Sequence, residues 1–205
     1  MASENTEKLI LEAAEEEFML KGFDGAKTTA IAAKAGVTHA MLHYYFRTKQ
    51  NIFERVVSEK LRLMSESIID AFNKPGDSFE EKVVNGIRAH FDFLKKNASL
   101  PRFVVNELVS NPDRRVIVEK MLGGLGKIVI ATLQTAIDAN VASGRFKPIS
   151  ALDLIVDIVS LNVFPFITLP IIMTVASDTY KSQEEFLENR RREVETVILD
   201  RLIKQ

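Results

Sequence analysis

The stretch Thr28–Phe46, TTAIAAKAGVTHAMLHYYF, decides the fold. Its spacing predicts a helix, a turn made on one glycine, and a second helix. Ile31 and Ala32 fall on the inner side of the first helix, and Val37, Leu42 and Phe46 continue the apolar side beyond Gly36. Two helices that cross closely need a small residue at the contact, supplied by Ala32, and so tight a turn needs a backbone that accepts positive φ, supplied by Gly36. With the inward residues removed, Thr38, His39, Met41, His43 and Tyr44 remain for the outer face. That face is polar, aromatic and free of carboxylates, as a surface that meets phosphates needs to be.

Several spacings hold together: Gly22-Phe23, Ile31-Ala32, Gly36-Val37-Thr38, Leu42-His43-Tyr44-Tyr45-Phe46 and Lys49. In this the first quarter of the chain resembles the N-terminal DNA-binding domain of the TetR/AcrR family of bacterial transcriptional regulators. The resemblance implies an all-α fold: a three-helix DNA-binding domain with a helix-turn-helix over residues 1–50, then a larger helical effector-binding and dimerisation domain over 51–205. Two departures stand out. Ala26 replaces a Thr that often caps the second helix, so Asp24 or a free amide is expected to serve there. His43 replaces a Tyr that mostly touches the DNA backbone.

The charge balance looks unfavourable for a nucleic-acid partner, because the chain carries a net −1. Distribution matters more than the total. Lys21 to Arg55 holds six cations against Asp24 and Glu54, a net +4, while Glu4, Glu7, Glu12, Glu15, Glu16 and Glu17 crowd the first helix, whose acidic face is expected to turn away from the duplex. The absence of Cys rules out a disulfide framework and a thiol nucleophile, and the start of the chain lacks the basic and apolar regions of a secretory signal, so a cytoplasmic location is expected.

Downstream, the apolar periodicity and caps predict about nine helices and no strand. Thr48 opens a long helix to about Phe72. Ser78 with Glu81 forms a capping box ahead of the stripe Phe79, Val83, Ile87, Phe91, Leu94. Pro101 and Asn111-Pro112 mark two further starts, the second helix being interrupted at Gly123-Gly124-Leu125-Gly126 and stopping at Gly144. Ser150 with Asp153 and Ser182 with Glu185 open the last two. Pro165 and Pro170 are expected to split the penultimate segment into two pieces.

On the reading helix, His39 and His43 stand four apart, but no third ligand lies nearby and a metal site is not expected. The expected DNA contacts are Lys27, Thr28, Thr29, Thr38, His39, Ala40, Met41, His43, Tyr44, Tyr45 and Lys49. Ala40 and Met41 suit a thymine methyl group, and Lys27 and Lys49 suit phosphates at helix starts. His90, Phe91, Phe103 and Asn106 are candidates for an effector pocket, and the excess of Phe points to a small apolar or aromatic effector. The glycine cluster does not read as a phosphate loop: that spacing requires Gly at Met121 and Ser or Thr at Ile128. No catalytic constellation and no cofactor motif is present, so the chain does not read as an enzyme.

Leu154–Ala176 is long and apolar enough to suggest a membrane span, yet it contains Asp157, Asn162 and two prolines and lacks flanking lysines. A buried subunit interface accounts for it without lipid. By resemblance, residues 150–176 and 182–203 pack against their copies as a four-helix bundle in a homodimer. The expected function is that of a homodimeric repressor, bound to a double-stranded operator and released by a small molecule. The alternatives are a membrane-associated helical protein and a small-molecule-binding protein without DNA regulation.

Overall fold

The computed structural model describes residues 2–109 and 111–204; the side chains of residues 2–4, 118, 121, 122, 124 and 125 lie outside the description. Nine α-helices and one π-helical turn make up the described chain: α1 Ala2–Gly25, α2 Thr28–Lys34, α3 His39–Phe46, α4 Lys49–Phe72, α5 Phe79–Lys96, α6 Leu100–Phe103, the π-turn Val104–Val109, α7 Pro112–Ala142, α8 Ala151–Val175 and α9 Gln183–Leu202. The one β-type contact among the described residues is an isolated bridge between Phe146 and Ile203.

The chain divides into two compact units, one of residues 1–63 with 103–121, the other of 64–102 with 122–205. Motif reading places a boundary at 50/51. Packing instead assigns the first half of α4 to the N-terminal helices, because Ile52, Phe53, Val56, Val57 and Leu61 are all buried.

In the first unit α1 buries Ile10, Ala13, Ala14 and Phe18. Phe18 meets Phe53 edge-on at 5.2 Å, and Phe53 in turn packs on Phe23 and Phe103. Gly22, at φ 68° and ψ 177°, breaks the helical geometry of α1 where the sequence signals its end, although helical turns resume to Gly25.

In the second unit α5, α8 and α9 pack on one another. One core cluster gathers Val83, Ile87, Ile137, Phe146, Leu154, Val194 and Ile198; another gathers Phe91, Leu94, Phe166, Phe186 and Leu187. The capping box at Ser78 and Glu81 forms, and Ser150 and Ser182 accept from the backbone amides of Asp153 and Glu185.

Two expectations are corrected. α8 is one continuous helix through Pro165 and Pro170, not two pieces. An interior proline costs about 3 kcal/mol, and here the burial of Asn162, Pro165 and Phe166 holds the segment helical against that cost. Likewise α7 runs unbroken through Gly123 and Gly126, since one glycine costs only about 1 kcal/mol in a helix of this length. A Cβ built at Gly123 or Gly126 meets nothing within 4 Å, so close packing does not explain these two; the surroundings of Met121, Gly124 and Leu125 lie outside the described residues.

Candidate nucleic-acid interface

The Thr28–Phe46 segment folds as two helices around a left-handed glycine. Gly36 has φ 68°, and the amide of Val37 donates to the carbonyl of Ala32 at 3.0 Å, closing the turn. Thr38 caps α3: its hydroxyl accepts from the Met41 amide at 3.1 Å. Ile31, Ala32, Leu42 and Phe46 are buried, which turns the opposite side of α3 outward. Thr38, His39, Ala40, Met41, His43 and Tyr44 are exposed, Tyr44 at 82%, while Tyr45 is half-buried.

Polar contacts organise this face. The His39 Nε2 and the Thr28 hydroxyl lie 3.0 Å apart, which ties the start of α3 to the start of α2. The His39 and His43 rings meet edge to face at 4.5 Å, and Tyr44 and Tyr45 do the same at 5.5 Å. His43 Nδ1 lies 2.8 Å from the Arg47 carbonyl. A carbonyl only accepts, so Nδ1 is the donor and Nε2 is the ring nitrogen left for another partner. No cluster of three metal-ligating side chains occurs among the described residues.

Lys27, Thr28 and Thr29 stand at the start of α2. Lys27 and Thr29 are exposed and Thr28 is half-buried. Lys49 is the first residue of α4, where Thr48 accepts from the Asn51 amide at 3.1 Å. Its ammonium lies 4.7 Å from the Phe23 ring centre and donates to the Asp24 carbonyl at 3.3 Å.

Three residues escaped the sequence reading. Glu17 is buried at 8% exposure, pairs with Lys21 at 2.7 Å and accepts from the Lys27 amide at 3.4 Å. It accepts from the amide of the N-cap residue Lys27, whose own side chain makes no cap, and the Asp24 carboxylate pairs with Arg114 instead. The hydrogen bond from Lys21 holds the Glu17 carboxyl below the usual carboxylate range. Arg47, an exposed cation, joins α3 to α4 with φ 57°, a left-handed backbone unusual for a residue with a side chain. Arg114 braces the turn after Gly22 and bonds both Asp24 and Glu107.

The acids of α1 do more than turn away. Glu16 pairs with Lys34, Glu15 with Lys60 at 2.6 Å, and Glu7 with Arg55 at 3.8 Å. The side chain of Glu4 lies outside the described residues. Of the cations between Lys21 and Arg55, Lys21, Lys34 and Arg55 pair with acids of α1, whereas Lys27, Arg47 and Lys49 stand at the start of α2, after α3 and at the start of α4.

The effector candidates fall in both units. His90 and Phe91 belong to the second, Phe103 and Asn106 to the first. His90 is buried beside Asn162, whose Nδ2 lies 3.2 Å from the ring Nδ1 and 3.2 Å from the Ile87 carbonyl. Phe91 packs on Phe166 at 5.2 Å, and Phe103 on Phe53 at 5.6 Å. Asn106 is exposed on the π-turn. A groove of about 550 Å³ lies elsewhere, lined by residues that include Gln134, Asp138, Asp153 and Arg201.

Comparison with known proteins also divides the chain in two, but along the sequence, with residues 103–121 falling in the C-terminal match. Residues 10–56 match the family described as bacterial regulatory proteins, tetR family, and residues 80–198 match the Tetracyclin repressor-like C-terminal domain. The chain is 29% identical over 98 residues, 46% of its length, to the uncharacterized HTH-type transcriptional regulator YdgC of Bacillus subtilis, and spans 50% of that relative. It is 24% identical over 142 residues to YhgD, another such regulator of that organism, covering 69% of this chain and 72% of the relative. Among solved structures, the fatty acid degradation regulator FadR of Bacillus halodurans superimposes with a TM-score of 0.68 at 19% identity, over 94% of this chain and 97% of that one.

Proposed function

Because the chain belongs to the TetR family of bacterial regulatory proteins, whose members are transcription regulators and not enzymes, we propose that it is a homodimeric repressor, bound to a palindromic operator and released by a small molecule. The observation that carries this reading is the outward face of α3. Thr38, Met41, His43 and Tyr44 are exposed with no carboxylate between Thr38 and Phe46, held out by Gly36 and Thr38 from a buried Leu42 and Phe46. Such a face fits a major groove, where hydroxyl, imidazole and phenol groups reach base edges and phosphates while the flanking lysines neutralise the backbone.

Dimerisation is supported by α8, which leaves Leu152, Val156, Val159, Phe164, Ile171 and Val175 exposed although the helix also packs on α5 and α9. A patch of that kind suits a self-complementary interface between two copies. Two reading helices separated by about 34 to 36 Å, or a multiple of it, match successive major grooves. The effector is proposed to bind in the second unit, near the buried His90 and Asn162, where Asn162 Oδ1 has no partner among the described residues. Apolar neighbours such as Phe91 and Phe166 favour an apolar or aromatic molecule with one polar group. Helix α4 contributes residues to both units, which gives effector binding a route to the reading helix. Release follows if the effector binds the non-operator conformation more tightly, and the operator then weakens the effector by the same factor.

Footprinting of the purified protein on DNA upstream of its own reading frame tests the proposal. A protected palindrome, lost in Tyr44→Ala, is the expected result; equal affinity for random DNA would overturn it. The length and composition of α8 also suit a bilayer, which favours membrane association as a second reading. A protein that stays dimeric in detergent-free buffer decides for the first.

A further inference from the structure

Phe23 carries over its ring two cations that come from distant points of the sequence. The Arg114 guanidinium lies 4.5 Å from the ring centre, and the Lys49 ammonium 4.7 Å from it. Arg114 Nη2 reaches both carboxylate oxygens of Asp24 at 3.0 Å, while Nη1 pairs with Glu107. The Arg114 side chain is only 11% exposed and that of Glu107 14%, whereas that of Asp24 is 85% exposed. Asn111 Oδ1 accepts from the Arg114 amide, so the cap of α7 fixes where this side chain starts. The turn it grips follows Gly22, whose left-handed backbone brings it so near the Glu107 carboxylate that a Cβ there overlaps Oε1.

The position of the charges gives this arrangement a consequence for DNA. Asp24 is an exposed carboxylate one residue from the ring that Lys49 covers, and its own carbonyl accepts from Lys49. While Arg114 donates to both oxygens of that carboxylate, its charge is offset in part, the same guanidinium also serving Glu107, and the ammonium of Lys49 is held on a neutral aromatic face and a carbonyl. Without Arg114, the same carboxylate is an uncompensated anion within reach of Lys49. It then competes for the ammonium and repels an approaching phosphate.

We propose that Arg114 is a positioning residue for operator binding: by occupying Asp24 and bracing Phe23 it keeps the Lys49 ammonium available to a DNA phosphate. This rests on the reading of Lys49 as a phosphate contact. It also assigns a role to the segment of residues 103–121, which packs with the DNA-binding helices although the chain on either side of it belongs to the second unit.

The test is operator affinity across a range of salt concentrations, measured by fluorescence anisotropy on the full chain. Lys49→Ala is expected to flatten the slope of log affinity against log salt by about 0.9 for each phosphate that the lysine neutralises. Arg114→Gln is expected to flatten it equally and to weaken binding roughly tenfold at moderate salt. Adding Asp24→Asn to Arg114→Gln is expected to restore most of the affinity, which repair of a purely structural defect does not predict. Weakened binding in Arg114→Gln that Asp24→Asn leaves untouched overturns the proposal. So does an unchanged slope in Arg114→Gln beside a flattened one in Lys49→Ala, an outcome that leaves the operator reading standing. An unchanged slope in Lys49→Ala removes the phosphate contact and the proposal with it. If Arg114→Gln loses its helical circular dichroism, Glu107→Gln/Arg114→Gln takes its place, with the same expected weakening and the same rescue by Asp24→Asn.

Discussion

Asn162 of α8 faces His90 of α5 at 3.2 Å inside the second unit, and the same amide nitrogen reaches the Ile87 carbonyl. Its two hydrogens serve both acceptors, so the proton of the neutral imidazole sits on Nε2. Burial pushes the His90 pKa down to about 4 from an ordinary value near 6.5. The unfolded chain therefore binds a proton at this site before the folded chain does, and stability falls as pH drops from about 6.5 toward 4. The full difference is worth about 3 kcal/mol. Urea unfolding at pH 7.5 and pH 5 is expected to show the decrease, and His90→Gln is expected to remove most of its pH dependence. An identical pH dependence in the variant would exclude His90 as its source.

Asn162→Leu leaves His90 Nδ1 buried without its donor, while the Ile87 carbonyl loses its second donor and keeps its place in the α5 ladder. An unsatisfied buried group costs about 1–3 kcal/mol, so the midpoint of urea unfolding is expected to fall, with the m-value unchanged. A variant as stable as the parent would mean that the amide contributes nothing net to the α5–α8 contact.

Gly36 and Thr38 make separable contributions to the presentation of α3. A Cβ at Gly36 meets nothing within 4 Å, so Gly36→Ala is penalised by its φ of 68° alone, about 1–2 kcal/mol. Thr38→Ala loses the cap on Met41 at about 1 kcal/mol. The sites share no hydrogen bond, and the double variant is expected to lose close to the sum in thermal unfolding. Thr38→Ser keeps the cap and is expected to retain stability.

What the sequence discloses here is what depends on neighbours along the chain. Thr38, Thr48, Ser78, Ser150 and Ser182 are legible because a cap satisfies an amide only a few residues away. The outward face of α3 is legible for the same reason, since burying Leu42 and Phe46 fixes which residues remain outside. The misreadings arise where distant packing outweighs local preference. Pro165 and Pro170 are breakers by propensity, yet α8 carries them because its inner side is anchored against α5 and α9. The partners of Lys27 and Asp24 are 10 and 90 residues away in Glu17 and Arg114, and no local pattern announces either.

Glu17 provides a local test of that long-range cap. Glu17→Gln retains an acceptor for the Lys27 amide but loses the charge that pairs with Lys21. Glu17→Ala loses both, at about 1 kcal/mol for the cap. The order of stability at pH 7 is expected to be parent, Gln, then Ala. Because Lys21 holds the folded carboxyl below its ordinary value of 4.5, the ionic part is present above that value and is lost as pH falls through the folded one. The parent and Glu17→Gln are therefore expected to converge in acid, as thermal unfolding at pH 7 and pH 3 will show.

The proposed dimer places the exposed side of α8 under the sharpest test. In a single chain Val156 is 55% and Phe164 63% exposed, so Asp at either position costs the isolated fold little, within about 0.5 kcal/mol. In a two-fold interface each substitution occurs twice and drives two carboxylates into a desolvated, apolar contact, which costs several kcal/mol without a partner for them. Val156→Asp/Phe164→Asp is therefore expected to keep its helical circular dichroism and sediment as a monomer at micromolar concentration. Operator binding should weaken as well, because one reading helix no longer positions the other. A double variant that sediments as a dimer would move the interface off this side of α8, whatever its affinity for DNA.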